Sequence, residues 1–439
     1  MPLNAKKGRS PHAAGPGKRP IGKPTRSARL DLAVIGMEAE FALLVDDEQV
    51  RPETVFDDPQ QFVRDELMHR QGTSYHVPTG GVVYFDSGVI EIATPLIEIE
   101  RGCAARAGRS LWESILYVRR ELDAWEERTG KDARLVGFSA HYNCSFDLSP
   151  DVLGPRRSVD KLAYLLSYVL PVPVMLLAAN RRSTAIGVRP RPNRVEITAD
   201  FTPSAALMIA AGSFVTAVVR ETMQWPSYER DVLGEKPLPV VDGYRPAQHT
   251  SRDGWRAQID SFPQDPFSAD VNAPLWPIAG SENGDERSLR ALGSAIFEHY
   301  EEAVRELADP FTLRLMRAVF RRNAPSLLDL PDRPSAYEDV GVLCTWDNLF
   351  SEQDLERSRY ERVLIRAIGG QTLRLNGERY EPIGMRGWSR VVFRRASDDA
   401  VQVFSIDFLA ERLEAWEPVD GGPQTADRRY SSTSASKRS

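Results

Sequence analysis

Apolar and polar residues alternate with a period of two along four stretches of this chain, the mark of a β-strand with one buried face. In LAVIGMEAEFALLV, about residues 31–45, Glu38 and Glu40 point to one face and the apolar residues between them to the other. In VVYFDSGVIEIATP, about 82–93, Tyr84 and Asp86 share a face and Glu91 follows. In LVGFSAHYNCSFD, the shared face carries His141, Asn143 and Ser145, with Cys144 directed to the apolar side. In NRVEITADF it carries Arg194, Glu196, Thr198 and Asp200. Solvated strand faces are built mostly from Lys, Thr, Gln and Ser. These four faces carry Glu, Asp, His, Asn and Arg, residues that bind metals and phosphates.

Between the strands the period changes to 3.6. Leu111, Trp112, Ile115, Val118, Leu122 and Trp125 predict an amphipathic helix over 104–128, ended by Gly130. Further helices are predicted at about 59–70, 159–179, 204–224 and within 286–322. Residues 162–179 are apolar enough to suggest a membrane span, but Pro171 and Pro173 interrupt them, so a buried helix ending at the prolines is expected. Residues 225–285 are rich in Pro, Asp, Gly and Trp and read as long loops around a site. A composition break at 324–336 precedes a helix at 354–368, a hairpin turn at Asn376-Gly377, strands at about 388–395 and 400–406, and a short helix to Trp416. The expected organisation is a basic leader (1–30) and a tail (418–439), both disordered, a main domain (31–323) and a small C-terminal α+β domain (335–417).

Charge sharpens this division. Residues 1–30 carry eight Lys or Arg and no acid; removing them from the net charge of −6 leaves −14 on the remainder. An acidic folded part argues against nucleic acid as the main partner. The leader lacks an apolar segment and is not a secretory signal. Cys103, Cys144 and Cys344 lie far apart without a CxxC pair, which fits a reducing cytoplasm, and no membrane partner is expected.

The Glu38/Glu40 pair poses an electrostatic problem. Two like charges about 4 Å apart repel by roughly 4 kcal/mol at an effective dielectric near 20. A divalent cation resolves it, and hard oxygen ligands suit Mg2+ or Mn2+. The chain has no GxxxxGK[ST] phosphate loop, no HExxH and no GxSxG; the run Gly137–His141 lies within a strand and is no nucleophile elbow. What remains is carboxylates, one histidine and arginines facing one another across a sheet. Two or more metal ions over arginines suit the phosphates of ATP. ATP can phosphorylate a carboxylate, and an amine can attack the acyl phosphate. The amine, protonated at pH 7, needs a base, for which Asp86 is the candidate. Arg182 and Arg189 lie in a basic loop suited to phosphates, and Asn143 is a further candidate contact to the nucleotide.

GMEAE, a following D-x-G-x-x-E strand and a later R-x-E strand resemble the glutamine synthetase / glutamate–cysteine ligase superfamily of carboxylate–amine ligases. GGVVYFDSGVIEIATP is most similar to the Pup ligase (proteasome accessory factor A) and depupylase group. The resemblance implies a curved antiparallel sheet with helices on its convex face and a small C-terminal α+β domain. It implies metal ligands at Glu38, Tyr84 and Glu91, a proton acceptor at Asp86, and nucleotide contacts at Thr94 and Trp388. It also implies a phosphate-binding Arg194 followed by a metal-binding Glu196. Glu40 and His141 complete the expected metal set. The implied activity is ATP-dependent joining of a glutamate side chain, carried by a Pup-like protein, to a lysine amine. A glutamate–cysteine type of ligase, a deamidase on the same scaffold and an inactive peptide-binding relative are the alternatives. The chain departs from the group at three places: the turn DSGVIE is one residue shorter than the group's D-x-G-S-H-P-E, Val82 stands where the Pup ligases carry an ATP-binding arginine, and HYNCS replaces an H-E-N-Y run. The spacing from Glu38 to Tyr84 leaves no room for the loop that the depupylases insert there.

Overall fold

The computed structural model describes residues 30, 32–146, 154, 156–202, 204–249, 252–281, 284–330 and 356–417. Almost all of the leader, the tail and Cys344 lie outside the described residues, as do residues 331–355, which include the start of the expected C-terminal domain.

The expected α+β class is met by a large antiparallel sheet packed against helices. Its strands are β1 (Val34–Val45), β2 (Glu48–Val50), β3 (Met68–Gln71), β4 (Ser74–His76), β5 (Val82–Asp86), β6 (Val89–Ala93), β7 (Ile97–Glu98), β8 (Ala133–Ser145), β9 (Ala185–Arg191), β10 (Arg194–Asp200), β11 (Ala247–Gln248) and β12 (Trp255–Gln258). The order is β11-β12-β9-β10-β8-β1-β6-β5-β4-β3, with β2 and β7 paired to opposite ends of β1.

β1 is the centre. Ile35, Met37, Ala39, Phe41 and Leu43 are at most 1% exposed, each large side chain contributing about 1.5–3 kcal/mol of burial. Above this face lie α2 (Cys103–Thr129), α3 (Val159–Val169), α4 (Pro171–Ala178), α5 (Ala205–Met223), α6 (Leu289–Leu307) and α7 (Pro310–Phe320); α1 (Pro52–Val55) is a single turn. Gly130 ends α2 in the left-handed conformation at φ 72°, as its position in the sequence predicts. Gly212 of α5 lets the helix close on β1, since a Cβ there would lie 2.4 Å from Met37 Cε.

Three expectations change or gain detail. The segment 59–70 is no helix: Asp58 caps a short 3-10 turn (Pro59–Gln61), and the chain then forms the edge strand β3. The helix predicted at 159–179 does end at the prolines, with its last residue at Val169, but a second helix follows at once. Pro171 starts α4 after a 61° bend, because proline lacks only an N–H that a first helical turn leaves unpaired. The 82–93 segment is a hairpin, β5 and β6, turned by Ser87 (φ 55°) and Gly88 (φ 99°). Positive φ at both central residues is the two-residue turn that matches strand twist. Of the helices, α5 alone, or α3 with α4 taken together, is long and apolar enough to cross a membrane among the described residues; most of α5 is buried in the core.

A second antiparallel sheet, β18-β17-β16-β15-β19, has its own core. It comprises β15 (Thr372–Leu375), β16 (Glu378–Arg386), β17 (Arg390–Arg395), β18 (Val401–Ser405) and β19 (Trp416–Glu417), with α8 (Arg359–Ile368) and α9 (Ile406–Ala410); β13 (Trp276–Pro277) and β14 (Glu286–Arg287) form a separate small pair. Asn376 and Gly377 make the predicted turn, both at positive φ. The last short helical turn, Leu413–Ala415, ends at Trp416 as expected, and Trp416 itself pairs with Leu373 in β19. The second sheet is held to α2 by Glu361, whose carboxylate is fully buried and accepts from Arg109 at 3.0 Å and Arg357 at 2.7 Å.

Candidate active site

The polar face of the large sheet collects the predicted residues in rows. Directly opposed residues of an antiparallel pair have neighbouring side chains. Tyr84, Glu91, Glu40, Ser139 and Asp200 stand opposite one another across β5, β6, β1, β8 and β10. Val82, Ala93, Glu38, His141 and Thr198 form the next row. Gly36, Asn143, Glu196 and Arg189 form a third.

A β-bulge makes these rows possible. In β8, Phe41 of β1 faces Gly137 while Glu40 faces Ser139, so Phe138 is the extra residue. Before it Leu135 faces the core; after it Ala140, Tyr142 and Cys144 do. One inserted residue reverses the facing of everything beyond it. Ser139, His141 and Asn143 thereby join Glu38 and Glu40, and Phe138 is left 61% exposed.

Two sets of donors have ligand atoms within 4.8 Å of one another: Glu38, Glu91 and His141, and Glu40, Asp86 and Glu91. His141 Nδ1 lies 3.0 Å from Glu38 Oε2 and its Nε2 3.6 Å from Glu40 Oε1. The Tyr84 hydroxyl donates to Glu91. Burial, then the charge of Glu38, pushes the Glu91 carboxyl up to about 8, so it holds a proton near neutrality. Burial resists ionisation of Glu38, but the hydrogen bond and charge of His141 outweigh it and keep the carboxylate below its ordinary value. Burial likewise resists charging of His141, yet Glu38, Glu40 and Glu196 raise its pKa. The set therefore holds more negative charge than it can neutralise, which is the setting a divalent cation fits.

Beside this set lies a cluster of arginines. Glu196 accepts from Arg189 Nη1 at 2.8 Å and from Arg191 Nε at 2.8 Å and Nη2 at 3.0 Å. Burial opposes its charge, but Arg191, His141 and Arg189 hold its pKa down to about 2. Both its oxygens are thus bound by guanidinium groups, and it stands outside the two donor sets expected to include it. Arg194 donates to Asn143 Oδ1 at 2.6 Å and lies 3.7 Å from Glu196. Arg252, from the loop between β11 and β12, reaches Asp86 at 3.5 Å, as expected of a segment looping around a site. Ser87 Oγ donates to the other oxygen of Asp86 at 2.9 Å.

The remaining residues fall into different settings. Trp388, between β16 and β17, packs edge-on to His76, and the Arg70 guanidinium lies 4.7 Å above its ring. His76 is fully buried; burial and the Arg70 charge bring its pKa down to about 3. Thr94 is only 3% exposed and its hydroxyl accepts from Met37 N at 3.0 Å, a bond that ties β6 to β1. Arg182 is exposed on the Asn180–Ser183 turn, its backbone N–H bound to Asn180 Oδ1 at 2.8 Å, and it joins neither donor set nor the arginine cluster. Arg70, Ser139, Arg191 and Arg252 were not foreseen. Arg70 was hidden by the expectation of a helix over 59–70. Arg191 lies in the same basic stretch as Arg189, with nothing local to single it out.

No protein-family model and no curated protein matches this chain. Among solved structures, it is similar to the Pup ligase PafA in its complex with the prokaryotic ubiquitin-like protein Pup, at 12% identity over 88% of this chain and 93% of that one, with a TM-score of 0.48. It is also similar to PafA in complex with ADP, at 10% identity over 78% of this chain and 90% of that one, with a TM-score of 0.39. Both neighbours are Pup ligases, the group whose strand motifs the sequence resembles.

Proposed function

We propose that this chain is an ATP- and Mg2+-dependent carboxylate–amine ligase, joining the glutamate side chain of a small Pup-like protein to a lysine amine in the cytoplasm. One observation carries the reading. Glu38, Glu40, Tyr84, Asp86, Glu91 and His141 meet on one face of adjacent strands, four carboxylates against one histidine, flanked by arginines. Glu38, Glu91 and His141 would hold one ion and Glu40 and Glu91 would share a second, leaving Asp86 beside them to take a proton, with Tyr84 hydrogen-bonded to Glu91. The bound nucleotide would supply the phosphoryl group that activates the carboxylate.

The chain's own groups account for the rest. Arg189, Arg191 and Arg194 present cations to the anionic groups of the reactants. Asp86 stands at the rim, its side chain 39% exposed, where an incoming amine has access. As the amine nitrogen bonds to the acyl carbon and phosphate leaves, Asp86 accepts the proton that nitrogen sheds. Arg252 Nη2 lies beside it, 3.5 Å from Asp86 Oδ2.

Incubating the full chain with Mg-ATP, a protein lysine donor and candidate carboxylates, including a small Pup-like protein ending in Glu, should release ADP and yield a product lighter by one water than its two parts. Asp86→Asn should reduce ligation at least about 100-fold while Mg-ATP still binds. Full activity in that variant refutes the base assignment. Amide cleavage without net ADP release refutes ligation in favour of a hydrolase.

A further inference from the structure

Val82 puts a small, fully buried apolar group into the row His76, Val82, Ala93, Glu38 that leads to the donor set. Arg70 arrives at the same place from two strands away. The β3–β4 register pairs His69 with Tyr75 and Gln71 with Ser74, leaving Arg70 as the irregular residue between them. Bulges of this kind re-aim a side chain. Here the guanidinium turns in over Trp388, at 4.7 Å from the ring, and Trp388 is itself fixed edge-on by His76.

The guanidinium has no anion of its own. Its Nε is buried without a hydrogen-bond partner, and Nη1 makes one long contact, 3.5 Å, to Ser74 Oγ. Among the described residues no carboxylate lies within ion-pair distance of it, although the charges of Glu38 and Glu91 are felt there. A buried guanidinium without a counter-ion is costly, and natural sites retain one where a ligand supplies the anion. Its setting selects the ligand: on one side the acidic donors that would hold metal ions, on the other an indole face. A metal-bound polyphosphate fits between them.

We propose that Arg70, from β3, binds the polyphosphate of the nucleotide. This rests on the ligase reading above and gives the nucleotide site a residue of its own. Trp388 supports the guanidinium on one side at 4.7 Å, and a bound phosphate would give the unpartnered Nε its acceptor.

Calorimetric titration of the full chain with Mg-ATP, AMP and adenosine tests this. Arg70→Met should weaken Mg-ATP about 10- to 100-fold, the worth of a paired charge-assisted contact, and change adenosine by less than about twofold. Arg70→Lys, which keeps the charge but not the fork, should fall between; it also decides the matter if Arg70→Met does not fold. The proposal is overturned if Arg70→Met binds Mg-ATP as the parent chain does. It is also overturned if adenosine is lost in step with ATP, which would make Arg70 only a prop for Trp388. A parent chain that binds no Mg-ATP at all refutes the ligase reading itself, a different result from either.

Discussion

Loading the donor set with Mg2+ should expel protons, and the number follows from the geometry. Glu91 is buried beside Glu38 and its pKa is pushed up to about 8. On an ordinary titration curve such a group holds about 0.9 proton at pH 7, all of which must leave when the carboxylate takes a cation. Glu38 is held below its usual value and contributes little. His141 is raised between its glutamates and adds to the release when its nitrogen turns to a metal. Titrating the metal-free chain with Mg2+ by calorimetry, in buffers of different ionisation enthalpy, measures the proton count. It should lie between about one and two at pH 7. The apparent affinity should rise by about tenfold or more per unit of pH below neutrality and flatten above about pH 9. Glu91→Gln should remove most of the release.

The same shift fixes the sign of the metal-free stability profile. Glu91 titrates near 4.3 in an unfolded chain and at about 8 when folded. A raised acid favours its protonated form in the fold, so stability is greatest below the unfolded pKa and falls as pH rises through 8. Mg2+ should therefore raise the melting temperature more at pH 8.5 than at pH 5.5. An affinity independent of pH with no proton released would refute the assignment of Glu91 as a shared ligand.

Two further predictions concern the frame. Gly81→Ala places a Cβ 2.6 Å from the Ala93 carbonyl oxygen and 2.7 Å from Ser114 Oγ; urea unfolding should show a loss of about 1–3 kcal/mol, and the strained β5–β6 seam should weaken Mg2+ binding at Glu91. Glu361→Ala leaves Arg109 and Arg357 without their shared, fully buried carboxylate; it should cost about 3 kcal/mol and speed hydrogen exchange in β15–β18 before it does so in β1.

Facing was legible because it is local. Period-2 alternation assigned Glu38, Glu40, Tyr84, Asp86, His141 and Glu196 to polar faces, and the structure keeps every one of them there. The 3.6-residue period gave α2 and α5 with ends displaced by a residue or so. Asn376-Gly377 was legible as a turn because its two positive φ angles demand those residue types. The stretch around Arg70 was not. MHRQ is polar at all but one position, and its place at a sheet edge is decided by β4 and by the second sheet, neither of which its own sequence encodes.

Neighbourhood is a different quantity from facing, and it decided the site. Glu91 and Glu196 are both carboxylates on the polar face of one sheet, in apolar-backed strands, and both were expected to take metal. Register gives Glu91 the partners Tyr84 and Glu40, which leave it short of positive charge. It gives Glu196 the partner Arg189, with Arg191 within hydrogen-bond reach, and these saturate it. One residue is driven to about 8 and the other to about 2. The difference comes from which strand lies alongside, and from the extra residue at Phe138 that sets β8 in phase with β1. The arginines around Glu196 are accordingly held in place by it, and on the reading proposed above a cation would go to Glu38, Glu40 and Glu91, which no arginine pairs with among the described residues.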